Sequence, residues 1–153
     1  MCRRPELAGE RGSTLLLFPA ALLIMVALAA ITVDAAIAFQ AQRELANATA
    51  AAANDAATLA LSDEAFYKHD SIELSSTAVE AMAVGLVERV VDRGRHHALV
   101  VTASARQQGC VWTVRVTAAS RVDELFGAAM PGSDGQVDVR ATSTASPRQT
   151  DSC

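Results

Sequence analysis

The stretch "AAITVDAAIAFQ", Ala29 to Gln40, places a carboxylate, Asp34, at the end of an otherwise unbroken apolar run. Such a run is a membrane span with a charge at its edge, a cleaved secretory signal, or a buried helix of a soluble protein. The flanking sequence weighs these alternatives. No charged residue occurs from Gly12 through Val33, and Leu15 to Ile31 reads "LLLFPAALLIMVALAAI". That is close to the roughly 20 apolar residues needed to cross a hydrocarbon core of about 30 Å. Arg3, Arg4 and Arg11 precede the run, and the first basic residue beyond it is Arg43. The positive-inside rule then puts residues 1–14 in the cytoplasm and the remainder outside the plasma membrane. Pro19 falls within the first turns, where a missing backbone N–H costs least.

A cleaved signal competes with this reading, because basic residues, an apolar core and "ALA" at Ala27 to Ala29 satisfy its loose requirements. "RRPEL" at Arg3 to Leu7 lacks the rest of a twin-arginine pattern. Against cleavage, the helical pattern continues through "DAAIAFQAQRELANATAAAANDAATLAL" to Leu61 with no Gly or Pro, in a stretch dominated by alanine, the best helix former. One long helix is expected, with a transmembrane segment at 15–37 and an Ala-rich extension at 38–61. Gln40, Asn47 and Asn54 recur every seven positions, and Leu45, Ala52 and Leu59 recur every seven on another face. Small residues on a helix face let a second helix approach closely; the alternative is an extension packed on its own domain. Asp34, nineteen positions after Leu15, would lie near the outer interface. There a carboxylate costs far less than the about 2.5 to 3.5 kcal/mol it costs at a helix centre. Its carboxylate is expected either to reach water or to meet a partner helix or assembly protein.

The chain has 153 residues, room for one small domain plus an appendage, and a net charge of −4 that gives no basic footprint for nucleic acid. Residues 62–146 are expected to form a small extracytoplasmic α+β domain, followed by a mobile tail at 147–153. "SDEAFYKHDSIELSS" makes a polar connector that Phe66 and Tyr67 pin to the domain. A helix follows at about Ala78 to Arg93: Thr77 and Glu80 have capping-box spacing, Val79, Met82, Ala83, Leu86, Val87 and Val90 form one apolar face, and Gly94 stands where a terminating glycine should.

Strands are expected at Ala98 to Ala105 and in "CVWTVRVTA", where Cys110, Trp112, Val114 and Val116 alternate with Val111, Thr113, Arg115 and Thr117. A third, Gln136 to Thr144, alternates Val137, Val139 and Ala141 with Asp138, Arg140 and Thr142. Between the last two, "RVDELFGAAMPGSDG" predicts a short helix carrying Leu125 and Phe126, then a Pro-Gly turn. The economical assembly is a three-stranded antiparallel sheet with the second helix on one face.

Chemistry-bearing patterns are few. His96 and His97 are adjacent and would point to opposite faces of a strand, which suits a solvated strand entry better than a metal pair. His69 and Asp70 lack a third partner. Walker, glycine-rich phosphate, H-E-x-x-H and nucleophile-elbow motifs are missing from the sequence. No histidine is placed to activate the many Ser and Thr residues, so neither an enzyme nor a cofactor or metal is expected. Cys2 would be cytoplasmic. Cys110 and Cys153 would both lie outside, where disulfides persist, so Cys110 either pairs with Cys153 or is a buried thiol.

In order and kind, "ERGSTLLLFPAALLIMVALAAITVDAAIAFQAQRELANATAAAANDAATLAL" and the ending "VDELFGAAMPG...VDVRATSTA" resemble TadE/TadG-like proteins of the Tad (Flp, tight-adherence) pilus machinery, actinobacterial type. The resemblance rests on a glycine before an apolar span, "VD" at its outer end, and a "Q-x-E-L-x-N-A" continuation. It implies a membrane-anchored, minor pilin-like or assembly protein that meets other Tad/Flp components through its N-terminal helix. Processed pseudopilins carry glutamate five residues after the cleavage glycine; counted from Gly12 that position is Leu17. Gly12–Ser13 therefore lacks the residue expected of a processing site, and the uncleaved TadG-like branch is the closer fit. The alternative function is a secreted or anchored extracytoplasmic ligand-binding module with no pilus role.

Overall fold

The computed structural model describes residues 13–59, 75–109, 111–129 and 132–147. The run around Asp34 belongs to one uninterrupted helix, α1 (Ser13–Leu59, 47 residues). It is followed by α2 (Ser76–Val90) and three strands, β1 (His96–Gln108), β2 (Val111–Asp123) and β3 (Gln136–Ala145), with a 3-10 turn at Gly127–Ala129. The sheet is an antiparallel meander in the order β1-β2-β3. The class is α+β, as the alternating patterns predict.

Burial divides α1 in two. Leu17 to Ala29 are exposed, Phe18 to 75%, and Ala30 is the first half-buried residue after Leu17. In its second half, Ala41, Leu45, Ala48, Ala52, Ala53, Ala56 and Ala57 are buried. This Ala-rich half lies on β3 and β2 and against α2, while α2 covers β1. The extension is thus the spine of the domain, and most of the inner sheet face is closed by α1 rather than by the second helix. Alanine is what the geometry needs, since a side chain of one carbon lets a helix backbone approach a sheet closely while excluding water. The expected polar face holds, with Gln40, Asn47 and Asn54 exposed. The expected apolar heptad holds only at Leu45 and Ala52, because Leu59 is 64% exposed. Hydroxyls within the helix bond back to it: Thr32 donates to the Leu28 carbonyl at 2.8 Å and Thr58 to that of Asn54 at 2.8 Å.

The second helix starts and stops earlier than its sequence signals. Ser75, not Thr77, is its N-cap, accepting from the Ala78 amide at 3.4 Å. It ends at Val90, with Val91 extended, because Asp92 begins a turn of its own: the Asp92 side chain accepts from the Gly94 amide, and its carbonyl from the Arg95 and His96 amides. Gly94 serves that turn and does not cap the helix.

The strands are longer than predicted. β1 begins two residues early because of a bulge: His97 faces Arg121 while Val100 faces Ala119, leaving Ala98 and Leu99 opposite Ser120. Ala98 takes a left-handed φ of 49° there. The extra residue shifts the alternation by one, so His96 turns inward along with Leu99, Val101, Ala103 and Ala105. β2 alternates as expected, burying Val114, Val116, Ala118 and Val122, and continues through Asp123 into the segment predicted as helix. Gly109, with φ of 59°, supplies the left-handed residue that the tight β1–β2 hairpin requires. Cys110 and Cys153, and hence their expected pairing, lie outside the described residues, as do Gly12, His69, Asp70 and the 62–74 connector.

Packing of α1 on the sheet generates a test. Ala52→Leu adds bulk at a position with no exposure and should destabilise the fold by about 1 to 3 kcal/mol. Ala51→Leu, on the exposed face, should stay within about 0.5 kcal/mol of wild type. Denaturant unfolding of the full chain in detergent, followed by Trp112 fluorescence, measures both.

Candidate functional site

Three polar residues of α1, Asp34, Gln42 and Glu44, reach from the helix into the rest of the domain. Asp34 is 4% exposed and accepts from the Leu125 amide at 2.8 Å and from the Phe126 amide at 3.0 and 3.2 Å. These amides immediately precede the 3-10 turn at 127–129, which gives them no internal acceptor. A carboxylate withdrawn from water must have such donors, and bonds to a charged acceptor contribute about 1.5 to 3 kcal/mol each. Asp34 therefore neither reaches water nor waits for a partner, as the sequence suggested; its carboxylate holds the β2–β3 connection against α1.

Eight residues on, the Gln42 carboxamide donates to the Arg140 carbonyl and accepts from the Arg140 amide at 3.2 Å. It thereby pairs with backbone groups on the free edge of β3, which are otherwise open to another strand. Glu44 accepts from the Asp92 amide at 3.1 Å and from Arg95 at 3.0 Å, fastening the α2–β1 turn. Gln42 and Glu44 of the "Q-x-E-L" motif are thus internal latches, and Leu45, next in the chain, is fully buried. The signal that would have revealed Asp34 is its angular phase. It precedes Ala41 by seven residues and Leu45 by eleven, both close to whole helical turns, so it lies on the buried stripe.

His96 is not solvated, contrary to expectation. Its Nδ1 lies 2.7 Å from the Ser120 hydroxyl, and its Nε2, 3.7 Å from the Glu44 carboxylate, has no hydrogen-bond partner. A serine, a histidine and a carboxylate in sequence resemble a hydrolytic relay, an arrangement the sequence pattern did not show. Ser120 is only 5% exposed on the inner face of the sheet. The trio therefore lacks room for a substrate at the hydroxyl and reads as a packed polar link between β1, β2 and α1. His97 faces the other way, 2.9 Å from Asp123, which also accepts from Gln136 at 2.8 Å. The Gln136 bond, then the His97 bond, lower the Asp123 pKa from its ordinary value of 3.8. A lowered folded-state pKa means this link contributes above the ordinary value and is lost as pH falls through the lowered one.

Shallow depressions lined by described residues mark the surface. One, of about 250 Å³, lies on the outer sheet face near the hairpin and is lined by Ser104, Arg106, Gln108, Thr113 and Arg115. Another, of about 260 Å³, lies between α2 and β1 beside Glu88, Arg93, His96 and Leu99. Among the described residues, no group of three or more His, Cys, Asp or Glu is placed to hold a metal ion. Among those residues one helix, α1, is long and apolar enough to cross a membrane. Comparison of the chain with family models, curated proteins and solved structures finds no match in any of the three.

The Asp34 latch makes a direct prediction. Asp34→Ala strips the acceptor from both amides and should cost about 2 kcal/mol or more, since a buried donor left unsatisfied costs about 1 to 3 kcal/mol. Asp34→Asn keeps one acceptor oxygen and should cost less. Hydrogen exchange resolves the mechanism: the Leu125 and Phe126 amides should lose protection first, ahead of the β2 core.

Proposed function

We propose that this chain is a membrane-anchored structural component, a minor pilin-like or assembly protein, of a Tad/Flp-type pilus or related secretion apparatus. The observation that carries the reading is that one unbroken helix serves as both the bare apolar segment and the buried spine of the domain. No joint separates the two halves, so force or orientation imposed on the domain passes directly to the anchor. This suits a load-bearing part of an assembly and is not needed by a module on a flexible tether. The TadE/TadG-like order of sequence features supports the same reading. In it, N-terminal arginines stay in the cytoplasm, α1 crosses the plasma membrane, and the α+β domain stands outside. The apolar surface from Leu17 to Val33 meets lipid and the helices of other pilus components in the plane of the bilayer.

The runner-up, an extracytoplasmic ligand-binding module, draws on the outer basin. There Arg106 and Arg115 sit diagonally on neighbouring strands, beside the hydroxyls of Ser104 and Thr113. Two guanidinium groups and two hydroxyls suit a small carboxylate or phosphate.

Intact-mass analysis of the native membrane fraction, combined with crosslinking, tests the proposal. The expected product retains the apolar helix, resists carbonate extraction and crosslinks to the membrane proteins and secretion ATPase complex of a pilus machine. A product starting at Ser13 would move the protein to the processed pseudopilin class despite Leu17. A soluble product starting near Ala30 would overturn the anchored reading and favour the binding module.

A further inference from the structure

We propose that the β2–β3 connection is a foot on the membrane, with Leu125 and Phe126 seated in the headgroup and acyl boundary of the leaflet through which α1 leaves the bilayer. This rests on the reading that α1 spans the membrane, and it adds a second contact that fixes how the domain stands. Three observations converge on it.

The first is height. Leu15 to Val33 at about 1.5 Å per residue covers about 28 Å, close to the thickness of a hydrocarbon core. Asp34 is the next residue, and its carboxylate oxygens lie 2.8 to 3.2 Å from the Leu125 and Phe126 amides. The connection is therefore held at the level where the apolar run ends. The second is shadow. Leu17 to Ala29 are exposed and Ala30, one turn before Asp34, is half-buried. The domain thus reaches the last turn of the run and no deeper, as a body resting on a surface would.

The third is exposure. With both amides turned to Asp34, the side chains of Leu125 and Phe126 remain 67% and 42% exposed. An adjacent leucine and phenylalanine open to solvent are costly for a domain whose exposed strand positions, Val100 and Val111 apart, are largely Ser, Thr and charged residues. In the interfacial layer they are at home, since apolar and aromatic side chains partition there beside polar backbone. The shape of the connection also holds them out: the Glu124 amide donates to the Gly135 carbonyl at 2.8 Å, closing its base. A Cβ at Gly135 would lie 3.2 Å from the Ala128 amide nitrogen. The chemistry required of the occupant is a lipid interface continuous with the one α1 crosses.

The chain carries one tryptophan, Trp112. It lies eleven residues from Asp123 along β2, about 36 Å at a strand rise of about 3.3 Å per residue, and so reports on the far end of the domain. Full-length protein in phosphatidylcholine vesicles, brominated either near the headgroup end of the acyl chain or near its far end, tests the foot with added tryptophans. Phe126→Trp and, separately, Leu125→Trp should show added emission that is quenched more by the shallow bromines than by the deep ones. Ile24→Trp should be quenched most by the deep bromines, and Trp112 in wild type by neither. If Ile24→Trp is quenched while both connection variants are not, the foot is overturned and those side chains belong to a protein-binding surface. If Ile24→Trp itself escapes quenching, the span has failed, and the foot with it. Quenching of Trp112 would lay the sheet along the bilayer and overturn the upright arrangement.

Discussion

An unbroken α-helix cannot turn one of its halves relative to the other, and this constraint governs the molecule. Each residue of α1 advances the chain by about 1.5 Å and rotates it by a fixed angle. Once the Ala-rich half is seated on β2 and β3, the direction in which every residue from Leu17 to Val33 points is fixed as well. Helix-interior proline normally weakens such coupling, but Pro19 lies in the second turn of α1, away from the junction between the halves. At the junction the sequence is Val33, Asp34, Ala35, Ala36, all compatible with helix. The carboxylate there is tied to the domain, so the helix is clamped where its surroundings change.

The clamp belongs to a series. Asp34, Gln42 and Glu44 each use a side chain to satisfy backbone groups that the secondary structure leaves open: the amides before a 3-10 turn, the edge of β3, and the amide that starts the α2–β1 turn. Loops and strand edges are the parts of a small domain least able to satisfy their own polar groups. A single helix here supplies those partners from within about three turns. The alanines between them contribute close approach, and the latches contribute position. The same division explains how a core containing few large side chains still holds a defined sheet, with Leu45 and the valines of α2 and β2 providing most of the bulky fully buried side chains.

The bulge at Ala98 shows the opposite relation between sequence and fold. A strand read from its apolar alternation starts at Ala98, because there the pattern becomes regular. The chain instead pairs from His96, and two residues opposite Ser120 absorb the mismatch. That one-residue insertion sends His96 into the interior and His97 to the surface, where each finds a polar partner on β2. Alternation alone does not contain this information, because the phase of a strand changes at a bulge without any change in residue type.

By itself, the sequence determined the elements that depend on local periodicity and composition. The apolar run and its alanine-rich continuation specified a long helix, the 3.6-residue pattern from Val79 to Val90 a second, and the two-residue alternations three strands, since side-chain spacing along one element is set by backbone geometry alone. Only the tertiary structure decided what Asp34, Gln42 and Glu44 do, because the backbone groups they bind lie 48 to 98 positions away in the chain. Along the axis, Asp34 looked like a charge at the end of a span, and that was legible. Around the axis it stands on the buried stripe, and its meaning came from the loop that folding delivers to it. The membrane-length helix is therefore a property of the sequence, whereas its clamping to the domain is a property of the fold, because hydrogen bonds between distant segments exist only once the sheet has brought both ends together.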